Sequence, residues 1–216
     1  MNIAFMILEL GKGFITTVEI FALTLIFSLP LGLIISFGRM SKNGILRTLT
    51  KFYISIMRGT PLMLQLIVVY YGPFYVFGIQ LSRSYRFIAV ILAFVLNYAA
   101  YFAEIYRSGI ESMPKGQYEA AKVLGYTKGQ TFFKIILPQV IKRIMPSITN
   151  ETITLVKDTS LAFVLSIVEM FTTAKQIASS ETTIMPLMVA GLFYYIFNLA
   201  VAVGMEQIER KLNYYR

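Results

Sequence analysis

The 216-residue sequence predicts an all-α membrane protein with five transmembrane helices, on three observations. Hydrophobic residues make up 56% of the chain and charged residues 14%, against about 25% charged in soluble domains; mean hydropathy is +0.66. The apolar residues gather in runs near the ~20 residues that a spanning helix needs. Lys and Arg collect in alternate connections, the bias that orients helices in a bilayer.

The first span is Phe14 to Phe37, broken by Pro30 and Gly32. Its apolar run exceeds a signal-peptide core, and Arg39 follows it instead of a small-residue cleavage site, so it is expected to remain as a helix. The next connection, Arg39 to Arg58, has apolar residues at Ile45, Leu46, Leu49, Phe52, Tyr53 and Ile56. That spacing predicts a helix continuing into the second span, about Pro61 to Ile79, with Thr60-Pro61 at the entry because proline suits a first helical turn. The third span is Phe87 to about Ile105. The fourth, about Ile148 to Phe171, carries Asn150, Glu151, Lys157, Asp158 and Glu169 and must face protein or a water-filled path. The fifth runs from Ile184 to about Met205.

Orientation follows from the cations. Arg39, Lys42, Arg47, Lys51 and Arg58 lie in the first connection, and Arg107, Lys115, Lys122, Lys128, Lys134, Lys142 and Arg143 in the third. Arg210, Lys211 and Arg216 follow the last span, while only Lys12, Arg83, Arg86 and Lys175 lie opposite. This sets the N-terminus outside and the C-terminus and long third loop in the cytoplasm. It also accounts for the net charge of +9 without a nucleic-acid partner. Cysteine and histidine are absent, which removes disulfides, thiolate sites, the commonest metal ligand and the usual neutral-pH acid/base, so no metal site is expected. Gly11-Lys12 lacks the P-loop's glycine spacing and following Ser/Thr, so the chain carries no ATPase site. One transmembrane domain, 1–216, is expected, with a polar loop at about 107–146.

That loop needs a reason to exist. Gln117 to Leu124 reads as a short helix with Tyr118, Ala121 and Leu124 on one face. Gly125 supplies its left-handed end, Thr127 caps a second helix over about Lys128 to Leu137, and Pro138 stops or kinks it. Two readings stay open for these residues: a docking element for a soluble partner, or an amphipathic helix on the membrane surface.

Glu119-Ala120-Ala121, Gly125, Ile135 and Leu137-Pro138, at their spacing, resemble the EAA loop of ABC-transporter permeases. Arg58-Gly59-Thr60-Pro61-Leu62 with Gln65-Leu66, Glu104-Ile105-Tyr106-Arg107-Ser108-Gly109-Ile110, and Leu155-Val156-Lys157-Asp158-Thr159-Ser160-Leu161 resemble its polar amino acid uptake branch. The resemblance covers nearly the whole chain. It implies a type I ABC importer permease fold in the bacterial cytoplasmic (inner) membrane. Glu119, Ala120, Ala121, Gly125, Leu137 and Pro138 would then form a coupling helix seated on a cytoplasmic ATP-binding subunit dimer. It further implies a second permease subunit, identical or paralogous, and an extracytoplasmic amino-acid-binding protein. No cofactor is expected in this chain, ATP and Mg belonging to the partner ATPase.

Ionisable groups inside the membrane are candidate substrate contacts. Asp158 suits an ammonium or cationic side chain, with Thr159 and Ser160 as neighbouring hydroxyls. Asn97, Tyr101 and Glu104 share one helical face, and Gln65 with Tyr70 or Tyr71 can complete a pocket. Glu104 has a second reading as a partner of Arg58 or Arg107. Glu19 and Glu169, near the outer ends of their spans, can meet a binding protein or an entering cation. The acidic lining favours a cationic or zwitterionic substrate: arginine, lysine, histidine or glutamine. The alternative is a non-transporting membrane anchor or regulatory subunit.

Overall fold

A computed structural model describes residues 3–212, which are helical almost throughout and, among those residues, contain no strand. The first helix, α1 (Ile3–Arg39), begins well before Phe14 and runs unbroken through Pro30 and Gly32, contrary to the expected break. Its buried residues recur every three or four positions and are mostly small: Gly13, Thr17, Thr24, Ser28, Gly32 and Ser36. This stripe lets α1 lie close against its neighbours, as small residues do in membrane helix packing. A Cβ on Gly32 would sit 2.8 Å from Phe102 Cβ and 3.0 Å from the Ala99 carbonyl oxygen. Three of the four hydroxyls donate within the helix, Thr17 to the Gly13 carbonyl at 3.2 Å, Thr24 to that of Ile20 at 2.7 Å and Ser36 to that of Leu33 at 2.7 Å, whereas the buried Ser28 hydroxyl has no partner among the described residues.

After α1 the chain forms α2 (Gly44–Gly59), capped by Asn43 Oδ1, and α3 (Leu62–Phe77). The two are bent by 113° and do not form the continuous helix expected from the periodicity. Pro61 is the reason, since it disfavours the helical region for the preceding residue, and Thr60 is extended (φ −121°, ψ 146°). On α2, Ile45, Leu49 and Phe52 point away from the bundle.

The centre of the fold is α4 (Arg83–Glu111). Val90, Phe94, Tyr98 and Phe102, four residues apart, are fully buried or nearly so against Ile20, Leu66, Leu155 and Leu165. Next come α5 (Lys115–Val123), a one-turn α6 (Lys128–Gln130), a π-helical segment (Thr131–Ile136) and α7 (Leu137–Asp158). Pro138 neither stops nor ends this helix. The upstream π turn shifts the hydrogen-bond register, with the Leu137 N–H donating to the Phe132 carbonyl, and so accommodates a residue with no N–H.

The expected fourth span is not one helix. At Thr159–Leu165 α7 tightens to 3-10 geometry, Ser166 turns left-handed (φ 55°), and α8 (Met170–Ser180) starts anew. The last helix, α9 (Met185–Lys211), packs on α7 and α8. Among the described residues, three helices are long and apolar enough to cross a membrane: α1, α4 from Ser84, and α9. The bent α2–α3 pair makes up to four.

Candidate functional site

At the break after Asp158 a hydrogen bond ties α7 to α4. Asp158 Oδ2 accepts a hydrogen bond from the Tyr98 hydroxyl at 2.7 Å. Tyr98 is 2% exposed, so its hydroxyl is committed to this contact. The Thr159 and Ser160 hydroxyls donate to the carbonyls of Val156 (2.7 Å) and Lys157 (2.8 Å), which leaves their lone pairs as acceptors. Thr159 is fully buried, and Lys157 is exposed.

Gln65 and Asn97 meet each other, but at the α2–α3 elbow. Asn97 Nδ2 donates to Gln65 Oε1 and to the Met57 carbonyl, both at 3.0 Å. Gln65 Nε2 donates to the carbonyls of Met57 (3.0 Å) and Thr60 (3.1 Å) and to Thr60 Oγ1 (2.8 Å). These amides satisfy the carbonyls that the end of α2 leaves without helical partners, and they fix the bend. Tyr70, expected near them, stacks on Tyr85 at 6.0 Å.

Glu104 sits among three arginines. Arg107 Nη2 donates to it at 2.7 Å, with Arg39 at 3.7 Å and Arg58 at 3.9 Å. Of its two readings, the arginine partnership is the one this geometry forms, and Arg39 joins it unforeseen. Tyr101 lies under the Arg58 guanidinium, 5.2 Å from ring centre to Cζ. Arg58, Tyr101, Glu104 and Arg107 border a cleft of about 390 Å³ between α4 and α7 that also reaches Arg143 and Glu151.

Glu169 corrects its expected role as an entry contact. It is fully buried and caps α8, accepting from the N–H groups of Phe171 and Thr172 (2.7 Å each), from Thr172 Oγ1 (2.8 Å) and from Tyr194 Oη (3.1 Å). Glu19 is exposed on α1. Glu169→Ala leaves those donors without a partner, so we expect the unfolding free energy to fall by about 1–3 kcal/mol. Thermal unfolding of the purified protein in detergent checks this, with Glu169→Gln, which keeps an acceptor, expected to lose less.

At the protruding end, α5 closes with Gly125 left-handed (φ 80°). The N–H groups of Tyr126 and Gly125 donate to the carbonyls of Ala121 (3.0 Å) and Lys122 (3.1 Å), a Schellman pair. Thr127 and Gln130 then form a capping box. Gln117 and Gln139 exchange amide hydrogen bonds at 2.9 and 2.7 Å, and Ala121 is buried, so the hairpin is tied to α7. Glu119 and Ala120 face outward, and Leu137 and Pro138 are half-buried inside the continuous helix. Leu124, expected beside Ala121, is exposed at the tip with Val123 (74% and 87%).

Sequence reasoning missed Tyr98, Met57, Thr60 and Arg39. Only Tyr98 left a signal, as the one hydroxyl in the Phe94, Tyr98, Phe102 stripe.

The family described as "Binding-protein-dependent transport system inner membrane component" matches residues 28–214. A putative glutamine transport system permease protein of Rickettsia conorii is 37% identical over 93% of this chain and 91% of its own. An arginine transport system permease protein of Bacillus subtilis is 38% identical over 93% and 91%, and an L-cystine transport system permease protein of the same organism 36% over 95% and 87%. The crystal structure of an amino acid ABC transporter with histidines superposes with a TM-score of 0.85 at 30% identity, covering 94% of both chains. An inward-facing methionine ABC transporter, at TM-score 0.70 and 17% identity, shares the fold.

Fold and relatives together define the class: a multi-pass inner-membrane permease subunit, whose family does not itself hydrolyse ATP. The chain belongs to the family of binding-protein-dependent transport system inner membrane components.

Proposed function

We propose that this chain is the transmembrane subunit of an ATP-driven importer that carries a polar amino acid into the cytoplasm, arginine, lysine, histidine or glutamine being the favoured substrates. The observation that carries this reading is Asp158: a half-buried carboxylate at the end of α7, held by one hydroxyl and with oxygen capacity to spare. Relatives named for glutamine, arginine and cystine support an amino acid cargo.

In this reading the N-terminus is outside. The polypeptide crosses five times, with the α7–3-10–α8 segment as the fourth, broken crossing. The α5 hairpin is cytoplasmic, and its apolar tip seats in an ATP-binding subunit. ATP binding closes the ATPase dimer, and a hairpin tied rigidly to α7 transmits that closure to the helix bearing Asp158. A second permease subunit completes the pathway, and an extracytoplasmic binding protein delivers the amino acid. Asp158 takes an ammonium or guanidinium group, with Tyr101 and the acceptor of Ser160 nearby; Thr159, expected among these contacts, is fully buried and out of reach of a substrate. Glu104, Gln65 and Asn97 act from behind, by holding the arginines and the elbow in place.

Proteoliposomes containing the complex with its ATPase and binding protein test the reading. ATP-dependent accumulation of labelled L-arginine or L-glutamine is expected. A complex that assembles but accumulates none of the four amino acids favours the anchor alternative.

A further inference from the structure

Helix α2 has three faces. One packs on α1 and α4: Ile54 is buried against Ala100 and Ala103, the Tyr53 hydroxyl donates to the Leu96 carbonyl, and Thr50 lies against Gly38. The second is an exposed apolar stripe of Ile45, Leu49, Phe52 and Ile56. The third is an exposed polar stripe of Arg47, Lys51, Ser55 and Arg58, roughly 130° further round at 3.6 residues per turn. The helix holds three cations and no carboxylate. Arg47 and Lys51 make no ion pair among the described residues.

An open stripe of large apolar side chains marks an interaction surface, and its surroundings say what covers it. Helix α2 follows the candidate span α1 after residues 40–43 and meets α3 at a 113° elbow. It therefore runs across the bilayer face while α3 runs through the bilayer. An in-plane helix with apolar and cationic stripes is built to lie in a membrane surface. Lys51, Ser55 and Arg58 also border, with Arg39 and Glu104, a cleft of about 330 Å³ where α1, α2 and α4 meet. Glu104 is its one carboxylate among the described residues, and the shortest contact of Glu104 goes to Arg107 at 2.7 Å. The cleft is left with an excess of positive charge. A cationic cleft flanking an apolar stripe is complementary to a molecule with an anionic head and acyl chains.

We propose that α2 binds an anionic phospholipid of the cytoplasmic leaflet. Its phosphate sits on Arg47, Lys51 and Ser55, and its acyl chains lie along Ile45, Leu49, Phe52 and Ile56. This rests on the orientation in the function proposed above, which places α2 at the cytoplasmic side.

Photocrosslinking tests it, with Phe52 replaced by p-benzoylphenylalanine in the permease–ATPase complex. The complex is reconstituted in vesicles of phosphatidylcholine and phosphatidylglycerol, irradiated, and the permease chain weighed by mass spectrometry. Phospholipid adducts are expected, with phosphatidylglycerol enriched at least about fivefold over its mole fraction, the factor that one cation at a membrane surface supplies. The double variant Arg47→Gln, Lys51→Gln should still give adducts, with the two lipids now near their mole fractions. Adducts in mole-fraction proportion in the complex with Arg47 and Lys51 intact overturn the site, an arm that needs neither charge substitution. Adducts to a protein chain in place of lipid overturn it too, and assign the stripe to a partner. Loss of the enrichment on adding millimolar inorganic phosphate overturns it in favour of a free-anion site. If import proceeds without enrichment, the lipid site alone falls. If enrichment occurs but none of the four amino acids is imported, the lipid site stands and the proposed function falls.

Discussion

Asp158→Asn is expected to lower ATP-dependent amino acid uptake by about ten- to a hundredfold while the complex still assembles. Asn has nearly the same shape and can still accept the Tyr98 hydrogen bond, so the α4–α7 contact survives. What is lost is the negative charge in a half-buried site, where a hydrogen bond to a charged group contributes about 1.5–3 kcal/mol. Initial rates in proteoliposomes, with co-purification of the ATPase as the assembly control, measure it. Tyr98→Phe should lose less, because it keeps the charge and removes only its positioning hydroxyl. Unchanged uptake by Asp158→Asn would remove Asp158 from the substrate path.

Gly125→Val is expected to cut uptake more than about tenfold through a different route. Valine at φ 80° is a backbone outlier costing about 1–2 kcal/mol or more. The cheaper outcome is for the hairpin to change shape, which dissolves the Tyr126–Ala121 and Gly125–Lys122 hydrogen bonds and displaces the exposed Val123–Leu124 tip. Loss of the ATPase on affinity purification, or ATP hydrolysis without uptake, is the expected signature. Gly129→Ala is the control: that glycine has negative φ and open space around its Cα, so it should behave as wild type. Normal association and uptake by Gly125→Val would count against the tip as the docking point.

The parts of the fold legible in the sequence are those written in consecutive residues. Gly125 at positive φ and Thr127 as a cap follow from short-range backbone chemistry, and both occur as expected. Where expectation failed, a local rule met a distant constraint. Proline at 30 and 138 suggested breaks, but α1 continues through Pro30 and a π turn absorbs Pro138. Periodicity across 45–56 suggested a helix running on into α3, yet Pro61 and the Gln65–Asn97 latch enforce a 113° elbow. Polar residues at 148–171 marked a protein-facing segment, and its break after Asp158 left no pattern to read.

The candidate site divides the same way. Asp158, Glu104, Asn97 and Gln65 were identifiable because polar groups are costly in an apolar run. Their partners were not. Tyr98 is 60 positions from Asp158, and Asn97 is 40 from Met57. Glu104 collects Arg39 and Arg58 from other helices, and Glu169 is buried by a cap and by Tyr194. By itself the sequence determined a helical membrane permease with a capped, protruding hairpin, because hydropathy, charge bias and turn chemistry act over a few neighbouring residues. The tertiary structure alone decided which polar groups are occupied and which are open. A hydrogen-bond partner is set by helix packing, and packing brings together residues that share no local pattern.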